Sequence, residues 1–234
     1  MVINFCANEF IKKYETNENC LTFVSFRKNK KKLLISFSTH HGVDRYYMNL
    51  KNIYLTKDVY DWDFLLFYNY PTDYYSKNYN IIKNKIIQIK KDYDDIYLLG
   101  SSMSGNTVVL LGLELNLNII ANVPQFNLII TYELAWESLK KTLDRVDDKD
   151  FFKIDADKLK KYLGIFDKKF IIVSGNNFLD SANNAFFGYE CKKIEKDMFD
   201  KIKFIKVDSN EHKFFITFYD TNDPNIISMK DLVL

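Results

Sequence analysis

A run of buried-strand character, Asp95-Ile96-Tyr97-Leu98-Leu99-Gly100, passes without a linker into a helical segment, and the junction reads Gly100-Ser101-Ser102-Met103-Ser104-Gly105. A chain that turns from strand to helix within one residue needs small side chains two positions before and after the turning residue. Anything larger would collide with the strand or the helix, and the turning residue itself is held in a strained backbone conformation. Gly100 meets the first demand, while Ser104, small but not glycine, stands at the second with Gly105 directly after it.

The remaining apolar runs set this junction in an alternating series. Cys20 to Arg27 and Lys32 to Thr39 are rich in β-formers and predict two neighbouring strands, joined by a solvated basic turn that holds Arg27, Lys28, Lys30, Lys31 and Lys32. Trp62 to Tyr68 predicts a strand and Asn80 to Lys91 a helix, with Ile81, Ile82, Ile86, Ile87 and Ile89 at helical spacing. After the helix of Ser102 to Glu114, Asn118 to Val123 reads as a strand ending at Pro124. Tyr132 to Phe166 is amphipathic and largely helical with a break near Asp147 to Asp150, and residues 125–166 are expected to form a helical cap or insertion. Lys169 to Gly175 predicts a strand, Ala182 to Phe199 a helix, and Lys201 to Val207 a last strand. Such alternation predicts one α/β domain over residues 1–234, a mostly parallel central sheet with helices on both faces and a ligand site at the carboxyl ends of the strands.

Gly-x-Ser-x-Gly between strand and helix is the nucleophile elbow of the α/β-hydrolase fold, and it singles out Ser102. A serine there sits at a helix amino terminus, where the backbone N–H of Met103 and the helix dipole can stabilise an oxyanion. The second oxyanion donor is expected from the loop after an early strand, at the backbone of Ser38 or Thr39. The fold orders its partners serine, acid, histidine along the chain. His212 alone among the histidines lies downstream of Ser102, just past the last predicted strand, and is the expected base. Asp180 is the one carboxylate in the loop after Lys169 to Gly175 and is the expected acid, with Asp208 and Glu211 as fallbacks and a helix-capping role as its alternative.

Composition removes several other classes. Charged residues make up 27% and the net charge is +2, too small to argue for nucleic acid as a partner, and no apolar run approaches the length of a membrane span. Residues 1–14 lack the pattern of a secretory signal, so a cytoplasmic location is expected. Cys6, Cys20 and Cys191 have neither disulfide-framework nor zinc spacing and are expected to be free thiols. His40 and His41 are adjacent without a third ligand, and no dinucleotide loop is present, so neither a metal nor a bound cofactor is expected. Tyr68, Tyr70, Tyr74, Tyr75 and Tyr79 are either a glycan-stacking surface or half-buried packing.

The stretches Tyr97-Leu98-Leu99-Gly100-Ser101-Ser102, Leu110-Leu111-Gly112-Leu113 and Asn118-Ile119-Ile120-Ala121-Asn122-Val123-Pro124-Gln125 resemble the bacterial capsular-polysaccharide O-acetyltransferases of α/β-hydrolase fold, the type that acetylates the meningococcal serogroup A capsule. The close part covers about 30 residues, and element order extends the likeness more loosely over most of the chain. The resemblance implies acetyl-CoA as co-substrate, an acetyl-enzyme at Ser102, His212 as shuttle base, Asp180 as its orienter and a glycan hydroxyl as acceptor. The family carries Gly-Gly after the serine where this chain has Ser104-Gly105, and its acid follows the strand glycine more closely than Asp180 follows Gly175. An esterase or deacetylase would use the same three residues, and a glycan-binding or assembly protein that has kept the fold is the non-catalytic alternative.

Overall fold

A computed structural model describes residues 9–15, 20–26, 31–39, 62–70, 72–213, 215–217 and 222–233. Eight strands form one sheet: β1 (Glu9–Glu15), β2 (Cys20–Phe26), β3 (Lys32–Phe37), β4 (Trp62–Tyr70), β5 (Asp95–Ser101), β6 (Asn118–Asn122), β7 (Phe170–Ser174) and β8 (Ile202–Lys206). Their spatial order is β1-β2-β4-β3-β5-β6-β7-β8. All neighbours from β4 to β8 run parallel, whereas β2 runs antiparallel to both β1 and β4.

This order corrects one expectation: β2 and β3 are not neighbours, because β4 lies between them. The basic turn between them suggested a hairpin, yet their connection has only to cross two inter-strand spacings, about 10 Å, which five residues reach. Pairing β3 in parallel on both sides, with β4 and β5, places it inside the sheet.

The helices are α1 (Tyr79–Lys90), α2 (Met103–Leu115), α3 (Leu128–Leu134), α4 (Glu137–Leu143), α5 (Ala156–Leu163), α6 (Phe178–Cys191), α7 (Lys196–Phe199) and α8 (Met229–Val233). Residues 125–166 thus hold three short helices, separated between α4 and α5 by the expected break. The predicted helix of Ala182 to Phe199 divides into α6 and α7 and starts earlier than expected. Asn177 caps it, its side chain accepting the Leu179 N–H, so the first turn takes in Asp180.

Strand side chains alternate between two cores. Leu33, Ile35, Phe37, Leu98, Ile119 and Ile172 face α1, α2 and α6 through Ile82, Ile86, Val109, Leu179 and Phe187. On the opposite face Leu34, Leu66, Leu99, Ile120 and Val173 pack with Met229, Leu232 and Val233 of α8. Burial on both sides is what makes β3 and β5 read as continuous apolar runs, with no polar alternation. In α1 the buried set Tyr79, Ile82, Ile86 and Ile89 recurs at spacings of three and four, and Ile87 points to solvent.

Tyr74, Tyr75 and Tyr79 are buried, so the reading of these three as a glycan-stacking surface is set aside. Burial pushes all three phenols up, which keeps them protonated donors: Tyr75 bonds the carbonyls of Ser38 and Phe67, and Tyr79 the Glu114 carboxylate. Cys191 is a free, buried thiol raised to about 12 by desolvation, an inert packing group. Cys6, His40, His41 and Arg27 to Lys30 lie outside the described residues. Among the described residues no helix is long and apolar enough to cross a membrane, and no group of three or more His, Cys, Asp or Glu is placed to hold a metal ion.

Candidate active site

Ser102 joins the last residue of β5 to the first of α2 with φ 53° and ψ −115°, the positive-φ turn that the sequence demanded. A Cβ on Gly100 would stand 2.4 Å from the Ser104 carbonyl oxygen, so only glycine fits there. The second small position is solved differently from the motif. Ser104 is buried, and its hydroxyl donates toward the Phe37 and Ser101 carbonyls at 3.1 and 3.0 Å while accepting the Ser101 N–H at 2.9 Å. Glycine falls one residue later, where a Cβ on Gly105 would meet Pro124 Cα at 3.0 Å. The irregular motif therefore trades one glycine for a hydroxyl that ties the elbow to the end of β3.

Three side chains from separate segments of the chain meet in one line of hydrogen bonds. His212 Nε2 lies 2.8 Å from Ser102 Oγ, and His212 Nδ1 lies 2.5 Å from Asp180 Oδ1. Asp180 is 2% exposed, and its Oδ2 finds no donor among the described residues, so its charge is directed at the imidazole. The fallback acids are engaged elsewhere: Asp208 accepts from Asn176 Nδ2 at 3.0 Å and Glu211 pairs with Lys213 at 2.8 Å. Asp180 reaches the histidine from the first turn of α6, and Asn177 holds the capping position that was the alternative for it.

The segment bearing His212 is bracketed on both sides. Upstream, Asn176 N–H donates to the Ser209 carbonyl and Asn177 Nδ2 to the Asn210 carbonyl. Downstream, Asn122 Nδ2 donates to the Lys213 carbonyl at 3.0 Å and to Ser101 Oγ at 2.7 Å, and Asn122 Oδ1 accepts the Phe215 N–H at 3.0 Å. The Asn122 carbonyl also accepts the Ser102 N–H at 2.9 Å, so one buried residue clips the elbow to the histidine loop. Asn122→Ala strands buried donors and acceptors on both, and is expected to lower stability by about 2–3 kcal/mol. Urea unfolding checks this, and a loss below about 0.5 kcal/mol would show that the clip carries no weight.

Of the expected oxyanion donors, Met103 is the first residue of α2, a position whose N–H has no carbonyl within the helix. Ser38 is corrected: its N–H donates to the Phe67 carbonyl at 3.0 Å and extends the β3–β4 ladder, which leaves Thr39 of that pair. Sequence reasoning missed two residues, one against the serine and one against the histidine. Gln125 Nε2 donates to Ser102 Oγ at 3.1 Å, and the Trp136 ring meets the His212 ring edge-on at 6.0 Å while staying 42% exposed. Pro124-Gln125 directly after a strand that neighbours the elbow was the available signal for the first. Nothing local marked Trp136.

No known family profile matches the chain, and no curated protein does. Solved structures do. A carboxyl esterase of Tuber melanosporum superposes with a TM-score of 0.57 at 11% identity, covering 89% of this chain and 80% of that one. A Pyrococcus furiosus esterase gives 0.56 at 16% identity, covering 89% and 88%. An S-formylglutathione hydrolase from Agrobacterium tumefaciens gives 0.53 at 10% identity, covering 90% and 91%. The mostly parallel sheet, its helices and these likenesses establish the α/β-hydrolase fold.

Proposed function

We propose that the protein is a serine acyl-transfer enzyme that works foremost as an esterase, cleaving an ester through an acyl-enzyme at Ser102. The reading rests on the unbroken line Asp180 Oδ1, His212 Nδ1, His212 Nε2, Ser102 Oγ. In it the Ser102 hydroxyl proton passes to His212 Nε2 as Oγ attacks the ester carbonyl carbon, and the carbonyl π pair becomes the oxyanion. Collapse of the intermediate expels the alkoxide, which takes that proton from His212. Water then repeats the sequence on the acyl-enzyme, releasing the acid. Asp180 holds the Nδ1–H tautomer and stabilises the imidazolium throughout. Helices α3 to α5 serve as a cap, and Trp136 gives the mouth a flat apolar surface suited to an aryl group or a sugar ring.

Transfer of acetyl from acetyl-CoA to a glycan hydroxyl is the second reading, favoured by the likeness of Tyr97 to Gln125 to the capsule O-acetyltransferases. Intact-mass measurement after incubation with p-nitrophenyl acetate and, separately, with acetyl-CoA separates the two. An esterase turns over the aryl ester and ignores acetyl-CoA. A transferase gains one acetyl at Ser102 from acetyl-CoA and loses it to an added sugar. A protein that takes acetyl from neither, and whose Ser102 resists a fluorophosphonate probe, is a binding protein, and the enzymatic proposal falls.

A further inference from the structure

Gln125 holds a position for which neither the serine, histidine and acid nor the elbow's steric demands have any need. It is 1% exposed, lies three residues beyond β6, and points its amide at the reacting oxygen, with Nε2 3.1 Å from Ser102 Oγ. Both ends of the residue are fastened. Its carbonyl accepts Asn106 Nδ2 from α2 at 2.6 Å, and its Oε1 accepts the hydroxyl of the fully buried Tyr74. The Tyr74 carbonyl in turn accepts Thr107 Oγ1 of α2 at 2.9 Å. Because burial keeps the Tyr74 phenol protonated, it donates to Oε1, and the amide is fixed with its N–H groups toward Ser102.

The backbone is bent on both sides to make this meeting. Among the described residues, the non-glycine positions with positive φ are Tyr74 (59°), Tyr75 (61°), Ser102 (53°), Asn116 (52°) and Val123 (42°). Asn116 caps α2, and the other four lie along the path from Ser38 through the tyrosines to Gln125 and the serine. A β-branched residue at φ 42° two positions before Gln125 is a conformation that packing must enforce.

Resting on the proposed acyl-enzyme at Ser102, we infer that Gln125 is a further catalytic residue, a side-chain donor to the oxyanion. In the free enzyme its N–H occupies a lone pair of Oγ, which leaves the hydroxyl proton to point at His212 Nε2. In the tetrahedral intermediate Oγ and the oxyanion are bonded to one carbon, so a donor already within reach of the first needs only a small adjustment to serve the second. The engagement of the Ser38 N–H by Phe67 removes one of the expected backbone donors and gives this amide its place. No atom is exchanged with Gln125; it stabilises charge without moving a proton.

The test is steady-state hydrolysis of p-nitrophenyl acetate together with inhibition by a trifluoromethyl ketone, whose hemiketal oxyanion mimics the intermediate. Gln125→Glu keeps shape and burial while replacing the donor with an acceptor, and Gln125→Ala removes it. Each is expected to lose about 10²–10³ in kcat with KM within about threefold, and to weaken the ketone in proportion. Tyr74→Phe, which frees the amide to flip, is expected to lose about tenfold. Thermal melts identify any variant that fails to fold, and Gln125→Glu serves where alanine does. Activity within about threefold of the parent in the Gln125 variants, or a loss confined to KM with ketone affinity unchanged, overturns the inference and leaves the esterase reading standing. A parent protein inert to every ester overturns both.

Discussion

Ser102→Ala is expected to lower kcat for ester hydrolysis by about 10⁴–10⁶-fold while leaving the protein folded. The size of the loss follows from the geometry: Oγ lies within reach of both His212 Nε2, at 2.8 Å, and Gln125 Nε2, at 3.1 Å, and alanine leaves no oxygen at that point of the line. Alanine at φ 53° carries much the same backbone strain as serine, so the melting temperature should stay close to that of the parent. Residual activity of more than about a hundredth of the parent's would show that Ser102 is not the nucleophile.

Asp180→Asn should cost about 10³–10⁴-fold in kcat with KM and stability little changed. The substitution keeps the volume of a side chain that is 2% exposed, so the packing of the first turn of α6 survives. What changes is the proton. An asparagine amide facing Nδ1 favours the tautomer with hydrogen on Nε2, and that nitrogen then meets Ser102 Oγ as a donor and cannot accept the hydroxyl proton. Asp208→Asn and Glu211→Gln remove carboxylates held by Asn176 and Lys213, and both should retain activity. Loss of activity in either of these and not in Asp180→Asn would reassign the acid.

The parts of this arrangement that could be read from the chain are those set by local sterics or by the order of elements. The elbow was legible because Gly100, Ser102 and Gly105 meet their constraints within six residues of one another. His212 followed from its place after the last predicted strand, which is the last strand of the eight-stranded sheet, and Asp180 from being the one carboxylate in its loop, although the structure puts it inside a helix that Asn177 starts early. Strand order was less legible, since the adjacency of β2 and β3 in sequence outweighed the later strand that inserts between them. Gln125 stayed out of view because its role depends on Tyr74, 51 residues away, and on a backbone bend at Val123 that a β-branched residue gives no reason to expect. Asn122 was hidden in the same way: its partners at Ser101, Lys213 and Phe215 belong to segments that only the finished sheet brings together.

The hydroxyl of Ser104 makes the elbow and the first loop of the site one mechanical body. It grips the Phe37 carbonyl, and the next residues, Ser38 and Thr39, are where an incoming carbonyl group would press. A glycine at that position would leave the β3–β5 ladder, which ends at Ser36 and Leu99, as the nearest backbone link between them. With serine there, the end of β3 and the start of α2 share a buried hydroxyl, which holds the loop after Phe37 in register with the turn that carries the attacking oxygen.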